Sequence, residues 1–566
     1  MPRGLRAGLA GALAVGASLR LGALDRNGLW LDELFTARAI ARESWGAMVD
    51  ELAADVHPPG YFGLLRLWTS LFGNGDAALR VPSALAGLAT ILATALLARR
   101  LAGDRAALVA AWITAVAPFL VTLDREARSN ALLAALATCG LALLASPTPR
   151  RWIAYAAIAV ALPWVHVFGL FVLAAHALWL ALECLVGTRE RDELRPFSLC
   201  VGAAVLGLAP WLPRLLGQAR SYTEAPWYPE GAADSVASTW FALASNTTTL
   251  AAVLALGAAL ALARSGERAA ALLGAHCVAL VLLPQVVGWV AAPILRDRNA
   301  IALLPVMIAC AAAGIGSLRP LPAWTLAGLG LAAGAVVAGR GSYVDPPGED
   351  WRLAGATLAA ELKPGDVVVA NHPNLWRHYV PAEANITDTA EPPPTRESAR
   401  RMWLAQAHQV REEWITGHGQ RSLLVEQWSF PGARLSLFDL EAFPAPLAYD
   451  VPGNLREGDT IHFWWGARVH TLPVELHGRC AIVLVGWSDG AGGEAAQIEV
   501  HAAPFIAEVA LPATLGVVRG PRWPLEGDTV AALRFVNDGK VGDVDRNAHL
   551  VRAGWDCQGV EQPAEE

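Results

Sequence analysis

The run Leu79-Arg80-Val81-Pro82-Ser83-Ala84-Leu85-Ala86-Gly87-Leu88-Ala89-Thr90-Ile91-Leu92-Ala93-Thr94-Ala95-Leu96-Leu97-Ala98, closed by Arg99 and Arg100, decides the fold. It contains no acid and has the length of roughly 20 residues that a helix needs to cross a bilayer. Backbone groups find no water in lipid, so such a run must bond to itself as a helix. Working outward, similar runs cover 5–24, 106–123, 129–146, 151–165, 167–186, 197–216, 248–264, 269–291, 299–317 and 322–339. The first follows Arg3 and Arg6 and has the start of a signal peptide, but no cleavage site follows and many spans do. We read eleven spans and a polytopic α-helical membrane protein.

Composition agrees. Hydrophobic residues make up 54% of the 566 and charged residues 17%, against roughly 25% charged in a typical globular chain. The net charge of −7 says little about partners, but the chain has no basic patch of the kind nucleic acid needs, so no nucleic-acid partner is expected. The seven cysteines form no C-x-x-C pair, which argues against a zinc or redox motif. Basic residues set the orientation. With the N-terminus cytoplasmic, Arg99, Arg100, Arg105, Arg150, Arg151, Arg189, Arg191, Arg195, Arg264 and Arg268 all fall in inner loops. Eleven spans then leave the tail extracytoplasmic, in a multi-pass protein of the inner or plasma membrane. There Cys480 and Cys557 are able to pair.

Three domains are expected: a membrane domain over 1–340, a small α/β unit over 341–449 and a β-sandwich over 450–566. In the α/β unit the pattern predicts helices over 351–362 and 396–414, with strands over 367–369 and 422–425. In the sandwich, strands are predicted over 460–465, 480–486, 497–500, 505–511, 529–536 and 549–551.

The first outer loop, about 25–79, carries chemistry. Helices are predicted over 32–51 and, amphipathic and in the plane of the membrane, over 61–72. Asp32 and Glu33 follow the first span. Their spacing suits two roles equally: acids that meet the dipole of a following helix, or a general base for an attacking hydroxyl. Asp55 and His57 stand before Pro58-Pro59. They suit a plain turn, or a site that orients an acceptor, holds a divalent metal or steadies Asp32. The outer loops also hold Arg125, Arg128, Arg296 and Arg298. Such arginines either grip a phosphate through paired hydrogen bonds or reach to lipid headgroups, the reading we give Arg125 and Arg296. His166, His176 and His276 read as core histidines bonded to neighbouring helices.

The order and spacing of Asp32-Glu33-Leu34-Phe35-Thr36, His57-Pro58-Pro59-x-Tyr61, Leu71-Phe72-Gly73, Leu79 to Leu85 and Glu126-Ala127-Arg128 resemble the protein-mannosyltransferase-related family. That is glycosyltransferase family 39, which includes the aminoarabinose transferases. The resemblance implies a GT-C fold. It implies inverting sugar transfer from a polyprenyl-phosphate donor to an extracytoplasmic glycan, lipid or protein, with no nucleotide cofactor. It makes Asp32 the catalytic base and Glu33 its supporting neighbour. Asp55, His57, Tyr61, Glu126, Arg128 and Arg298 become substrate-binding residues. The chain departs from the family at Asn130 and Asn299, where tyrosine is usual, and at Gly60, where a bulky apolar residue is usual.

In the tail, Phe535-Val536-Asn537-Asp538 followed by Asp545-Arg546-Asn547, with Gly486-Trp487-Ser488-Asp489-Gly490 upstream, resembles the calcium-dependent xylan-binding modules. That resemblance implies a calcium ion held among Asn537, Asp538, Asp543, Asp545 and Asn547, oxygen ligands of the kind calcium prefers. It also keeps a second reading in view: a membrane-anchored glycan-binding protein with an inactive transferase core. A transporter would need paired repeats with broken helices, which the sequence lacks.

Overall fold

The computed structural model describes residues 2–224, 236–265, 267–344 and 349–389, and from 399 to 558 the strands named below with some residues beside them. The chain forms two compact units, Met1–Gly348 and Glu349–Glu566.

The first unit is helical. It begins with α1 (Arg3–Leu21), α2 (Leu31–Ile40), α3 (Trp45–Ala54), α4 (Gly60–Phe72) and α5 (Asp76–Val116). The helix predicted over 32–51 is two helices. Ser44 breaks it, its Oγ accepting the Ala47 N–H at 3.0 Å as the cap of α3. α5 joins two expected spans through a break at Ala102 and Gly103, where glycine supplies a φ of 82°. α3 and α4 leave Trp45, Leu64, Leu67, Leu71 and Phe72 exposed, the kind of apolar surface expected of helices that lie along a membrane.

Further helices follow at Pro118–Asp124, Asn130–Leu144, Pro149–Val165, Gly169–Leu185, Leu194–Leu208, Leu212–Glu224, Val236–Leu243, Thr248–Ser265, Glu267–Cys277, Leu283–Val290, Leu303–Gly316 and Pro320–Tyr343. The helix Leu303–Gly316 is buried from Leu303 to Ile315, as a helix apolar on every side must be when it forms the centre of a bundle. Its Gly314 approaches the Gly257 carbonyl so closely that a Cβ there would lie 2.0 Å away. Small residues allow such close backbones between apolar helices.

Among the described residues, three helices are long and apolar enough to cross a membrane, or four counting a pair bent by 76°. Four more apolar helices are shorter. Each expected span coincides with helix, but kinks and breaks divide the lengths unevenly.

One charged pair lies inside this apolar bundle. Arg20 of α1 donates to Asp124 Oδ2 at 2.7 Å and to the Ala115 carbonyl at 2.7 Å, with both side chains almost wholly buried. Arg125 turns back on the first helix. It caps α1, donating to the carbonyls of Leu19 at 2.8 Å, Gly22 at 2.7 Å and Ala23 at 3.0 Å.

In the second unit, helix Trp351–Glu361 precedes a five-stranded sheet. Its order is Asn385–Asp388, Val367–Ala370, Arg401–Ala407, Ala433–Asp439, Leu423–Phe430. The first three strands are parallel and the rest antiparallel. The helix predicted over 396–414 is corrected: Arg401–Ala407 is the central strand. Its residues from Met402 to Ala407 are buried on both faces, and a short apolar run of that kind carries no periodicity to tell strand from helix.

Two more five-stranded antiparallel sheets follow. Strands Val474–Asp489, Gly516–Thr529 and Asn547–Gln558 lead one; Gln497–Ala502, Phe505–Ala510 and Ala532–Phe535 lead the other. Both contribute to one buried cluster that includes Val469, Ile482, Ile498, Val500, Leu533 and Leu550. Cys480 and Cys557 form a disulfide between paired strands. Asn537, Asp538 and Asp543, and the side chains of Asp545 and Asn547, lie outside the described residues.

Candidate active site

The site grows from the first turn of α2, where two adjacent acids point to different partners. Glu33 turns inward. Its Oε2 accepts from the Trp30 N–H at 3.3 Å, so the helix-terminus reading holds for this acid. Its carboxylate also takes both prongs of Arg80, at 2.8 Å and 2.5 Å, and the Ala127 N–H at 2.7 Å. Arg80 in turn donates to the carbonyls of Leu24, Asn27 and Gly28 at 2.6, 3.0 and 2.9 Å. One buried ion pair thus fixes the end of the first span, α2, α5 and the Glu126-Ala127-Arg128 segment together. Arg80 was visible in the sequence as a charge inside an apolar run, a signal of function in itself, but its partner was not.

Asp32 turns the other way. Its Oδ2 accepts from Arg298 Nη1 at 2.8 Å and lies 3.6 Å from Arg128 Nη2. Its side chain keeps 23% exposure. Arg128 is held more firmly. It donates to the Asp32 carbonyl at 3.2 Å and Thr36 Oγ1 at 3.4 Å, and meets His57 Nε2 at 3.1 Å. Its own carbonyl accepts from Ser83 Oγ at 3.1 Å, and Ser83 lies 3.2 Å from the Tyr61 hydroxyl. Thr36 and Ser83 are contributors that pattern alone did not reveal.

His57 packs between Phe35 and Phe62, with ring centroids 5.7 and 5.6 Å away. Burial and the nearby Arg128 push its pKa well below the ordinary histidine value. The neutral ring therefore accepts the Arg128 N–H at Nε2. Burial raises the Asp55 carboxyl, opposed by a hydrogen bond from Val56 N–H and by Arg128. Burial, then the Glu33 charge, pushes Glu126 up to about 8, and its Oε2 is buried without a hydrogen-bond partner among the described residues. At neutral pH Glu126 is a neutral acid able to donate.

The residues chosen from sequence around the first loop thus meet in one place: Asp32, Glu33, Asp55, His57, Tyr61, Glu126, Arg128 and Arg298. Two guanidinium groups point at the one carboxylate oxygen, so the donor set suits an anion and not a divalent cation. Among the described residues no group of three or more histidine, cysteine or acidic side chains is arranged to hold a metal. His176 bonds across to the Tyr155 hydroxyl at 3.1 Å, whereas His166 and His276 bond locally, to the Phe168 N–H and the Leu272 carbonyl.

Residues 56–216 match the family model for the dolichyl-phosphate-mannose-protein mannosyltransferases. Fold and family match together define the class: a membrane glycosyltransferase with the GT-C fold. Within it, the chain is similar to ArnT from Cupriavidus metallidurans. The apo structure of that protein has a TM-score of 0.53 at 14% identity, covering 76% of this chain and 97% of that one. ArnT bound to undecaprenyl phosphate gives 0.51 at 15% identity, with the same coverage. No curated protein matches the sequence.

Proposed function

We propose that the enzyme transfers a sugar from a polyprenyl-phosphate donor to a hydroxyl on an extracytoplasmic glycan, lipid or protein, with inversion. The acceptor oxygen attacks the anomeric carbon as the bond from that carbon to the phosphate oxygen breaks. Polyprenyl phosphate leaves, and the acceptor's proton passes to Asp32. Arg128 and Arg298 hold the phosphate, and Glu126, neutral, is a donor beside them. Glu33 acts as a positioning residue. The observation that carries this reading is the meeting of both arginines at the Asp32 carboxylate. The undecaprenyl phosphate bound to the similar ArnT supports the donor class. A glycan-binding protein with an inactive core would have no use for that carboxylate.

The orientation completes the reading: N-terminus cytoplasmic, eleven crossings, tail outside the inner or plasma membrane. We read the tail as an α/β domain and a β-sandwich that binds glycan through calcium at Asn537, Asp538, Asp543, Asp545 and Asn547. The decisive experiment is transfer from undecaprenyl-phosphate sugars into extracted envelope acceptors. Asp32→Asn keeps the shape and removes the base, and general-base assistance is worth about 10²–10⁴-fold. Near-normal transfer by Asp32→Asn removes this residue from the mechanism.

A further inference from the structure

Resting on the phosphate reading above, the geometry points to Asp32 as a built-in stand-in for the donor phosphate: the arriving phosphate takes Arg298 from it, and only then is the base uncovered. The first observation is one of occupancy. The Asp32 oxygen that meets Arg298 at 2.8 Å is the oxygen that faces Arg128 at 3.6 Å. Ion pairing with a guanidinium favours the charged carboxylate and so makes that oxygen a weaker proton acceptor toward a hydroxyl. In this arrangement, Oδ2 of the base is held by the group that is to bind the donor.

The second observation is that the two arginines are held differently. Arg128 has 8% side-chain exposure and contacts the Asp32 carbonyl, Thr36 and His57 as well as facing the carboxylate. It is a fixed wall. Arg298 has 25% side-chain exposure and stands in the short turn Asp297–Ala300, after a segment without regular structure. It is the arm more able to re-aim.

The third observation concerns competition. The donor phosphate is a diester with two non-bridging oxygens and one negative charge, a like-for-like substitute for a carboxylate, and the guanidinium fork matches it in bidentate fashion. The exchange replaces one bidentate anion at the two arginines by another. His57, neutral, adds no competing charge; among the described residues Asp55 faces Arg128, Glu126 faces both arginines, and Asp297 bonds the Arg298 N–H. The consequence is an order of events: donor first, then activation of the acceptor.

Binding of undecaprenyl phosphate without sugar tests this, measured by thermophoresis on the full-length protein in detergent. If Asp32 competes for Arg298, Asp32→Asn binds the lipid phosphate more tightly, by about two- to fivefold, the scale of a partly exposed ion pair. The same substitution lowers transfer, and a merely structural role would lower both. Asp32→Ser serves as a second variant, and each is read only at an unchanged melting temperature. Arg298→Ala weakens binding and removes the gain when combined with Asp32→Asn. Unchanged or weaker binding by both Asp32 variants overturns the inference while leaving the donor class standing. Absence of binding by the wild-type protein overturns the donor class itself.

Discussion

Removing one partner of the Glu33–Arg80 pair should loosen the transferase site from beneath. The Glu33 side chain is 1% exposed and that of Arg80 is 9%, so solvent screens the pair little. Deleting one side of such a pair costs about 3–5 kcal/mol, mostly through the charge left buried. Arg80 keeps its three carbonyl partners, which places Glu33→Gln near the lower end, about 3 kcal/mol. Glutamine retains an oxygen for the Ala127 N–H. Glu33→Ala strands that donor and should cost a further 1–3 kcal/mol, roughly. The assay is a double-mutant cycle on detergent-solubilised protein, following tryptophan fluorescence through denaturant unfolding. Glu33→Gln, Arg80→Gln and their combination should show a coupling of about 1.5–3 kcal/mol. Additive losses would mean that the two side chains touch without depending on each other, and the argument for a fixed platform would fall.

Arg128→Lys keeps the charge and loses the fork, so affinity for undecaprenyl phosphate should fall about tenfold or more while melting changes little; equal affinity refutes the assignment. Glu126 stands near 8 in the folded protein against 4.5 in its ordinary state. It therefore binds more protons folded than unfolded, and its contribution to stability, full below pH 4.5, is lost as pH rises toward 8. The melting temperature of wild type should decline across that window and that of Glu126→Gln should decline less; identical slopes would contradict this. Millimolar calcium should raise the melting temperature of the full-length protein relative to chelator, and Asp543→Asn with Asp545→Asn should remove the rise. No shift leaves the tail a structural module.

Membrane character and helix positions were legible because lipid leaves one way to satisfy a backbone, and long apolar runs announce it. The site was legible as far as motif order carries spatial order: Asp32, His57 and Arg128 come together although 25 and 71 residues separate them in turn. Side-chain direction was not. Nothing in the pair Asp32-Glu33 says that one faces Arg298 and its neighbour Arg80, since adjacent residues on a helix leave it in different directions. Ser44 could have been read as a cap, but the apolar pattern ran on across it. Strand Gly516–Thr529 was missed because Gly516, Gly520, Pro521, Pro524 and Gly527 read as turns. Its pairing with Val474–Asp489 carries it through a register shift between Ala481 and Val483. Arg401–Ala407 was misread because burial on both faces erases the alternation that marks a strand.

The Arg20–Asp124 pair sets a condition on how the protein is made. Each charge alone is expensive at membrane depth, by about 2.5–3.5 kcal/mol on insertion scales. The ribosome delivers Arg20 first, and its carboxylate follows 104 residues later. Until then α1 carries an unmatched cation in its last turn, and the carbonyls of Thr114 and Ala115 that also hold Arg20 are likewise not yet synthesised. The first helix should therefore reach its final depth and packing only after the third apolar run has been delivered beside it. A chain truncated before Asp124 would leave α1 inserted but displaced toward the headgroups, and an Asp124→Leu chain would keep it there at full length.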